Sequence, residues 1–224
     1  MKRFGLILFV CALFAVMSQT NFAFCQTAST DKAVKAADMT ANSDSENAML
    51  KSLQTAYYAE THEHALYLEY GKKADEEGFH QVASMFRAMA RAEEIHAANK
   101  VALITELGAV PQENSEPLLV GSTKENLEFA TASESYEENT MYSAYIAQAK
   151  KDKNKAAEQT FVFSQAAEPA HLAIFKQASN DLESYRGENI PFLVCPRCGN
   201  VVRNIRGDAC PICSNPRDKF ETVR

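Results

Sequence analysis

"RAEEIHAANK" at residues 91–100 and "QAAEPAHLAI" at residues 165–174 each set a glutamate three positions before a histidine, Glu93 with His96 and Glu168 with His171. Residues three apart share one face of an α-helix, so each stretch offers a carboxylate and an imidazole side by side. A second match lies upstream. "LQTAYYAETHE" from Leu53 aligns with "LEFATASESYE" from Leu127, which sets Glu60 against Glu134 and Glu63 against Glu137. The two Glu-x-x-His pairs then correspond with one residue inserted, so the chain reads as an internal duplication of a ligand-bearing helix pair.

The surrounding pattern supplies the helices. Leu50, Leu53 and Tyr57, then Val82, Met85, Phe86 and Met89, recur at helical spacing, no proline falls between Ala48 and Gly108, and Gly78 and Gly108 are natural stops. Residues 109–123, "AVPQENSEPLLVGST", hold two prolines and end in Ser122 with Glu125 three later, a capping-box pattern that opens a third helix running to about Lys150. The polar "KKDKNK" at 150–155 connects to a fourth helix that reaches roughly Tyr185. A helix of about 28 residues is roughly 42 Å long, and about 14 extended residues span roughly 46 Å, so the proline-bearing link can cross the whole length of a bundle. The other two links are short. Two antiparallel hairpins joined by one crossover make an all-α four-helix bundle of the ferritin-like kind over residues 47–187.

The ends of the chain read differently. Lys2 and Arg3, an apolar run from Phe4 to Met17 and small residues at Ala23 and Cys25 describe a secretory signal peptide over residues 1–25. The expectation is an exported, periplasmic protein with no stable membrane insertion after cleavage; a retained N-terminal anchor is the alternative. Residues 26–46 are polar, lack an apolar period and read as a flexible linker. The formal net charge is −6 and becomes −8 once Lys2 and Arg3 leave with the leader, which argues against nucleic acid as a partner.

Two Glu-x-x-His units with a glutamate from each remaining helix form the carboxylate-bridged two-metal pattern of helix bundles. Oxygen and imidazole donors suit iron, and manganese fits the same set. For one pair alone, a solvated face with an i to i+3 ion pair is the simpler reading; two pairs on aligned helices reverse it, because burying that much carboxylate without cations is very costly. Pro169 inside the second unit should kink the fourth helix. In the last segment, residues 188–224, Cys195 and Cys198 pair with Cys210 and Cys213 as two C-x-x-C knuckles, the spacing of a tetrahedral metal site rather than of disulfides. Iron there makes a one-electron carrier and zinc a structural ribbon.

Around "ADEEGF", "VASMFRAMARAEEIHAANK", "TKENLE" and "CPICSNPRDKF" the chain resembles the rubrerythrins over about residues 48–224. That resemblance implies a peroxidase: a non-haem di-iron site reduces hydrogen peroxide to water, as a defence against oxidative stress. It is fed through a rubredoxin-like Fe(Cys)4 module by an electron donor that the chain does not identify. The implied ligands are Glu60, Glu93, His96, Glu134, Glu137, Glu168 and His171, with Tyr67 and Tyr142 hydrogen-bonding beside them. The resemblance further implies a homodimer in which each cysteine module sits against the partner's bundle. Glu63, the counterpart of Glu137 in the repeat, stands as a candidate extra ligand, and His64, one turn from Glu60, as a group supporting the ligands. Two other classes stay open at this point: a ferritin-like protein that oxidises or stores iron, and a metal-binding module whose zinc ribbon makes contacts.

Overall fold

The computed structural model describes residues 27–224 except Asn114, with side chains from Asn47 onward. The proposed leader lies outside the described residues. The chain divides after Asn42 into two compact units, and the second, Ser43–Arg224, holds the bundle and the cysteine cluster.

Helices α1 (Thr27–Glu76) and α2 (His80–Glu106) form the first hairpin. The crossover leads to α3 (Thr123–Tyr136), a π-helical turn (Glu137–Met141) and α4 (Tyr142–Lys151), which together make the third rod of the bundle. Helix α5 (Lys155–Asn180) is the fourth, followed by a 3-10 turn over Leu182–Arg186. The bundle expectation therefore holds, with four changes. The linker expected over residues 26–46 is helical from Thr27; that stretch contains neither glycine nor proline and carries Ala28, Ala33, Ala36, Ala37 and Ala41, so composition alone was a poor guide to its backbone. The third helix is interrupted by the π turn. The fourth stops at Asn180 instead of Tyr185, and it passes through Pro169 as one α-helix, with that proline on its exposed face.

The start of α3 is capped as the sequence predicts: Ser122 accepts from the Glu125 backbone N–H while the Glu125 carboxylate accepts from the Ser122 N–H at 2.8 Å. The hairpin turns show the duplication in backbone form. Phe79 N–H reaches Ala74 O at 2.8 Å and Gly78 N–H reaches Asp75 O at 3.1 Å; in the second half Asn154 N–H reaches Ala149 O at 2.9 Å and Lys153 N–H reaches Lys150 O at 3.1 Å. Both are Schellman closures, which need a left-handed residue at the turn. Gly78 provides it at φ +80° and Lys153 at φ +55°.

The helix ends place the inserted residue. Glu76 and Lys151 close their helices and His80 and Lys155 open theirs, each pair 75 positions apart, whereas Glu60 and Glu134, like Glu63 and Glu137, are 74 apart. The extra residue therefore enters after Glu137, in the π turn, whose wider winding absorbs it without breaking the helix.

The cysteine module is a three-stranded antiparallel sheet, β1 (Phe192–Val194), β2 (Val201–Val202) and β3 (Glu221–Val223), in the order β2-β1-β3. Phe192, Val194 and Val201 are buried in one cluster with Phe79, Val82 and Phe86 of the bundle. Arg91 grips Glu221 with two hydrogen bonds of 2.7 and 2.9 Å, and Arg87 Nε donates to the Arg224 carbonyl at 2.6 Å. The family resemblance implied a seat on a partner's bundle; within this single chain the module packs against its own. The short stretch 187–191 leads from the bundle into β1, whose apolar face packs against α2. Among the described residues no helix is long and apolar enough to cross a membrane.

Replacing Lys153 by glycine removes the left-handed strain that Gly78 avoids in the other half. Allowing for the freer unfolded chain, we expect a gain of about 0.5–1 kcal/mol. Thermal unfolding of Lys153→Gly should show a midpoint higher by about 2 °C; an unchanged or lower midpoint would show that the turn carries no strain.

Candidate metal centre

Six carboxylates and two imidazoles converge midway along the bundle. Glu60 and Glu63 come from α1, Glu93 and His96 from α2, Glu134 from α3, Glu137 from the π turn, and Glu168 and His171 from α5; all are buried. Every ligand expected from the sequence is in the cluster, including His171, so Pro169 does not displace it. His96 Nδ1 lies 2.9 Å from Glu93, 3.2 Å from Glu60 and 3.5 Å from Glu168, and His171 Nδ1 lies 2.9 Å from Glu168, 3.4 Å from Glu134 and 3.6 Å from Glu93. Glu93 and Glu168 are thus within reach of both histidines, the arrangement of bridging carboxylates. Glu60 and Glu134 each face one.

The donor set fits cations. Glu60 Oε2, Glu63 Oε2, Glu93 Oε1, Glu134 Oε2, Glu137 Oε2, both oxygens of Glu168 and His171 Nδ1 are buried without a hydrogen-bond partner. Leaving so many buried acceptors unmatched is costly, and cations among them would satisfy all of these at once. The histidine tautomers point the same way. His96 Nε2 lies 3.0 Å from the Cys198 carbonyl and His171 Nε2 lies 3.1 Å from the Gly199 carbonyl. A carbonyl only accepts, so each Nε2 carries hydrogen and, in the neutral ring, each Nδ1 turns a lone pair toward the carboxylates.

The tyrosines that the family resemblance set beside the site hold one oxygen of two of its glutamates. Tyr67 donates to Glu134 Oε1 at 3.0 Å and Tyr142 donates to Glu60 Oε1. Each tyrosine supports the glutamate of the other repeat. Glu63 accepts from Ser133 on one oxygen and groups with Glu93 and Glu137 on the other, so it belongs to the cluster. His64 does not: its Nδ1 pairs with the Ala90 carbonyl at 2.7 Å and joins α1 to α2.

Sequence reading missed Lys100. It is fully buried, and Nζ donates to Glu60 Oε1 at 2.8 Å, to Ser164 Oγ at 2.9 Å and to the His96 carbonyl at 3.2 Å. The signal was present in the opening motif, since Lys100 lies four residues after His96 and so on the same helix face.

Without metal, burial and then the charge of Glu134 raise Glu63 to about 8 and drive Glu93 and Glu168 well above the ordinary carboxylate range; burial and then Glu63 do the same to Glu137. Burial also pushes Glu60 upward, but Lys100 and His96 outweigh it and hold it down at about 2. Glu134 is lowered in the same manner by His171, which the carboxylates of Glu134 and Glu168 in turn raise well above its ordinary value against the effect of burial.

Next to this cluster the four cysteines form a second one. Cys195 and Cys213 sulfurs are 3.5 Å apart, Cys198 and Cys210 sulfurs 3.6 Å, and all four lie within 4.8 Å of one another. Sulfurs about 2.3 Å from a tetrahedral ion would be about 3.8 Å apart, so the set fits one metal and no disulfide. Gly199 N–H bonds to Cys195 O and Ser214 N–H to Cys210 O, both at 3.0 Å, with φ +73° and +58°. The glycine is required by more than its angle. A Cβ on Gly199 would stand 2.4 Å from His96 Nε2, so its absence is what lets the knuckle rest on the carboxylate cluster. Ser214, in the outward knuckle, meets no such limit and is exposed.

The sequence profile of the rubrerythrins matches residues 51–179. The chain is 33% identical over 179 residues to nigerythrin of Nitratidesulfovibrio vulgaris, covering 76% of this chain and 84% of that protein. It is 31% identical over 172 residues to rubrerythrin-2 of Clostridium acetobutylicum, covering 75% and 93%. The structure of fully reduced, all-ferrous nigerythrin superposes with a TM-score of 0.72 over 78% of this chain and 86% of that one, at 33% identity. A bacterioferritin of Desulfovibrio desulfuricans, 20% identical, shares the fold with a TM-score of 0.59 over 64% and 84%.

Two outcomes are expected from this geometry. Gly199→Ala should force the knuckle off His96 and cost about 1–3 kcal/mol; chemical unfolding measures it, and a cost below about 0.5 kcal/mol would show the contact to be loose. Groups raised in the folded state, such as Glu63 and His171, contribute stability that is full below their unfolded pKa and is lost as pH rises through the folded one. The lowered Glu60 and Glu134 act with the opposite sign, and only below their ordinary range. The chelator-treated protein should therefore lose thermal stability between about pH 5 and pH 8, while the metal-loaded protein stays level. A metal-free midpoint that rises over this interval would contradict the assignment.

Proposed function

The chain belongs to the rubrerythrin family, and we propose that it is a peroxide reductase that carries its own electron feed. The reading places two iron ions among Glu60, Glu93, His96, Glu134, Glu137, Glu168 and His171, with Glu63 as an eighth ligand, and one iron on Cys195, Cys198, Cys210 and Cys213. Bound there, a ferrous pair supplies the two electrons that, with two protons, turn one hydrogen peroxide into two waters.

The observation that carries it is the pair of hydrogen bonds from His96 and His171 to the carbonyls of Cys198 and Gly199. Ligands of the carboxylate site touch the backbone of the cysteine site directly, so an electron leaving the cysteines crosses a few covalent bonds and one hydrogen bond. Iron storage needs no such connection. A zinc ribbon used for contacts would not need its knuckle seated on metal-ligating histidines.

The chain's residues shape the reaction around those ions. Tyr67 and Tyr142 occupy the outer oxygens of Glu134 and Glu60, which turns the inner oxygens toward the centre. Burial and the surrounding carboxylates hold the Tyr67 phenol well above its ordinary pKa, so it keeps its proton and remains a donor. Phe86 and Phe175, tilted and edge-on to Tyr67 with ring centres 5.8 and 5.6 Å away, are fully buried with it and close that side to bulk water. Support for Glu63 as a ligand is its burial at 4% exposure, its unmatched Oε2 and its symmetry with Glu137.

The test is anaerobic stopped-flow mixing of the fully reduced, metal-quantified chain with one equivalent of hydrogen peroxide, following the absorbance of the cysteine-bound iron. We expect about three irons per chain, two in the bundle and one on the cysteines, and rapid reoxidation at the cysteine band. Cys198→Ser should keep the first turnover at the bundle and abolish repeated turnover. Zinc on the cysteines, or iron indifferent to peroxide, would move the structural or storage readings ahead.

A further inference from the structure

Within the di-iron reading, on which this inference rests, the two halves of the site should be equivalent by duplication, and beside the two supporting tyrosines they are not. Helices α2 and α5 correspond at a spacing of 75, which pairs Glu93 with Glu168, His96 with His171, Met89 with Ser164 and Lys100 with Phe175. Beside Tyr67, which supports Glu134, the duplication leaves apolar Phe175 and Met89, both fully buried. Beside Tyr142, which supports Glu60, it leaves Lys100 and Ser164, hydrogen-bonded to each other at 2.9 Å.

We propose that Lys100 is a positioning residue that makes the two metal positions inequivalent, by holding Glu60 to one ligating oxygen and placing a positive charge behind it. The geometry supplies the charge state: Glu60 Oε1, Ser164 Oγ and the His96 carbonyl, at 2.8 to 3.2 Å, are acceptors for the three hydrogens of an ammonium group. Glu60 Oε1 then takes donors from both Lys100 and Tyr142, leaving only Oε2 for a metal. Glu134 Oε1 accepts from Tyr67, and among the described residues no lysine or arginine bonds to it as Lys100 bonds to Glu60.

Both effects of Lys100 have one sign. Its charge repels an increase of positive charge at the position bounded by Glu60, Glu93 and His96. Its hydrogen bond draws electron density from Glu60 and weakens it as a donor to a more highly charged ion. The lower charge state is therefore favoured at the Glu60 position relative to the one bounded by Glu134 and His171. The overall balance fits: six buried glutamates against two divalent ions leave two negative charges, and Lys100 offsets one of them.

The experiment is a redox titration of the full iron-loaded chain, with the bundle iron followed by electron paramagnetic resonance and the cysteine iron by its visible band, for wild type, Lys100→Met and Lys100→Gln. Methionine removes charge and hydrogen bonds at similar length; glutamine keeps a donor to Glu60 and removes the charge alone, and stands in if the methionine variant does not fold. The expected result is a shift of the bundle couple to lower potential in both variants, larger for methionine, with two bundle irons retained and the cysteine couple unmoved. An unmoved bundle couple, equal shifts of both couples, or loss of bundle iron in both variants would overturn the proposal in favour of a purely structural lysine. A wild-type chain that takes up no iron pair would instead remove the di-iron reading beneath it, and the two failures are thereby told apart.

Discussion

Six glutamates buried at the middle of a helical bundle are the constraint to which the rest of the molecule answers. Burial of carboxylates without matching cations costs more than a domain's net stability, so the fold must bring positive charge to them or keep them protonated. Lys100 supplies one charge and, in the metal-free protein, His171 a second. The tyrosines and Ser133 satisfy outer oxygens. The oxygens that still lack partners all turn inward, and it is this remainder of unmet demand, rather than any single side chain, that identifies a two-cation site.

The duplication explains how such a site is built and how it departs from symmetry. A helix pair with one glutamate helix and one Glu-x-x-His helix, repeated and brought face to face by a crossover, yields a near two-fold ligand set. One inserted residue would rotate everything after it by about 100° if the helix stayed regular. Taken up as a π turn, it lets Glu134 and Glu137 keep the places of Glu60 and Glu63 while Tyr142 still meets Glu60 as Tyr67 meets Glu134. The π turn is thus the local irregularity that preserves the global match.

Much of this was legible in the sequence. The Glu-x-x-His spacing, the capping box at Ser122 and the two C-x-x-C knuckles act through neighbours in sequence, and all appear where expected. What was not legible depends on partners distant in sequence or on backbone choice. A lone inserted residue does not say whether a helix will bulge, end or slip, so the π turn stayed hidden. Lys100 reads as an ordinary surface lysine until Glu60, 40 residues away, and Ser164, 64 residues away, are set against it. His64 shares the face of Glu60 by spacing, yet the Ala90 carbonyl of α2 captures it. The seat of the cysteine module on its own bundle rests on Phe192, Val194 and Val201 finding cover among bundle residues, which spacing cannot reveal.

Gly199 joins the two centres by what it lacks. The knuckle turn needs a left-handed residue at that position, and Ser214 shows that a side chain can be accommodated in the same turn of the other knuckle. Contact with His96 removes that freedom on the inward side, because a Cβ would occupy the space that the imidazole edge fills. The turn that arranges N–H groups for a thiolate site therefore also presents the carbonyls of Cys198 and Gly199 to His96 and His171. Those carbonyls fix the tautomers that leave both Nδ1 atoms free for the carboxylate site. Packing of the small module onto the bundle, the tautomer of each histidine and the readiness of the cluster for metal are consequently one structural fact, so a disturbance of the knuckle should be felt at the carboxylates even where no ligand is changed.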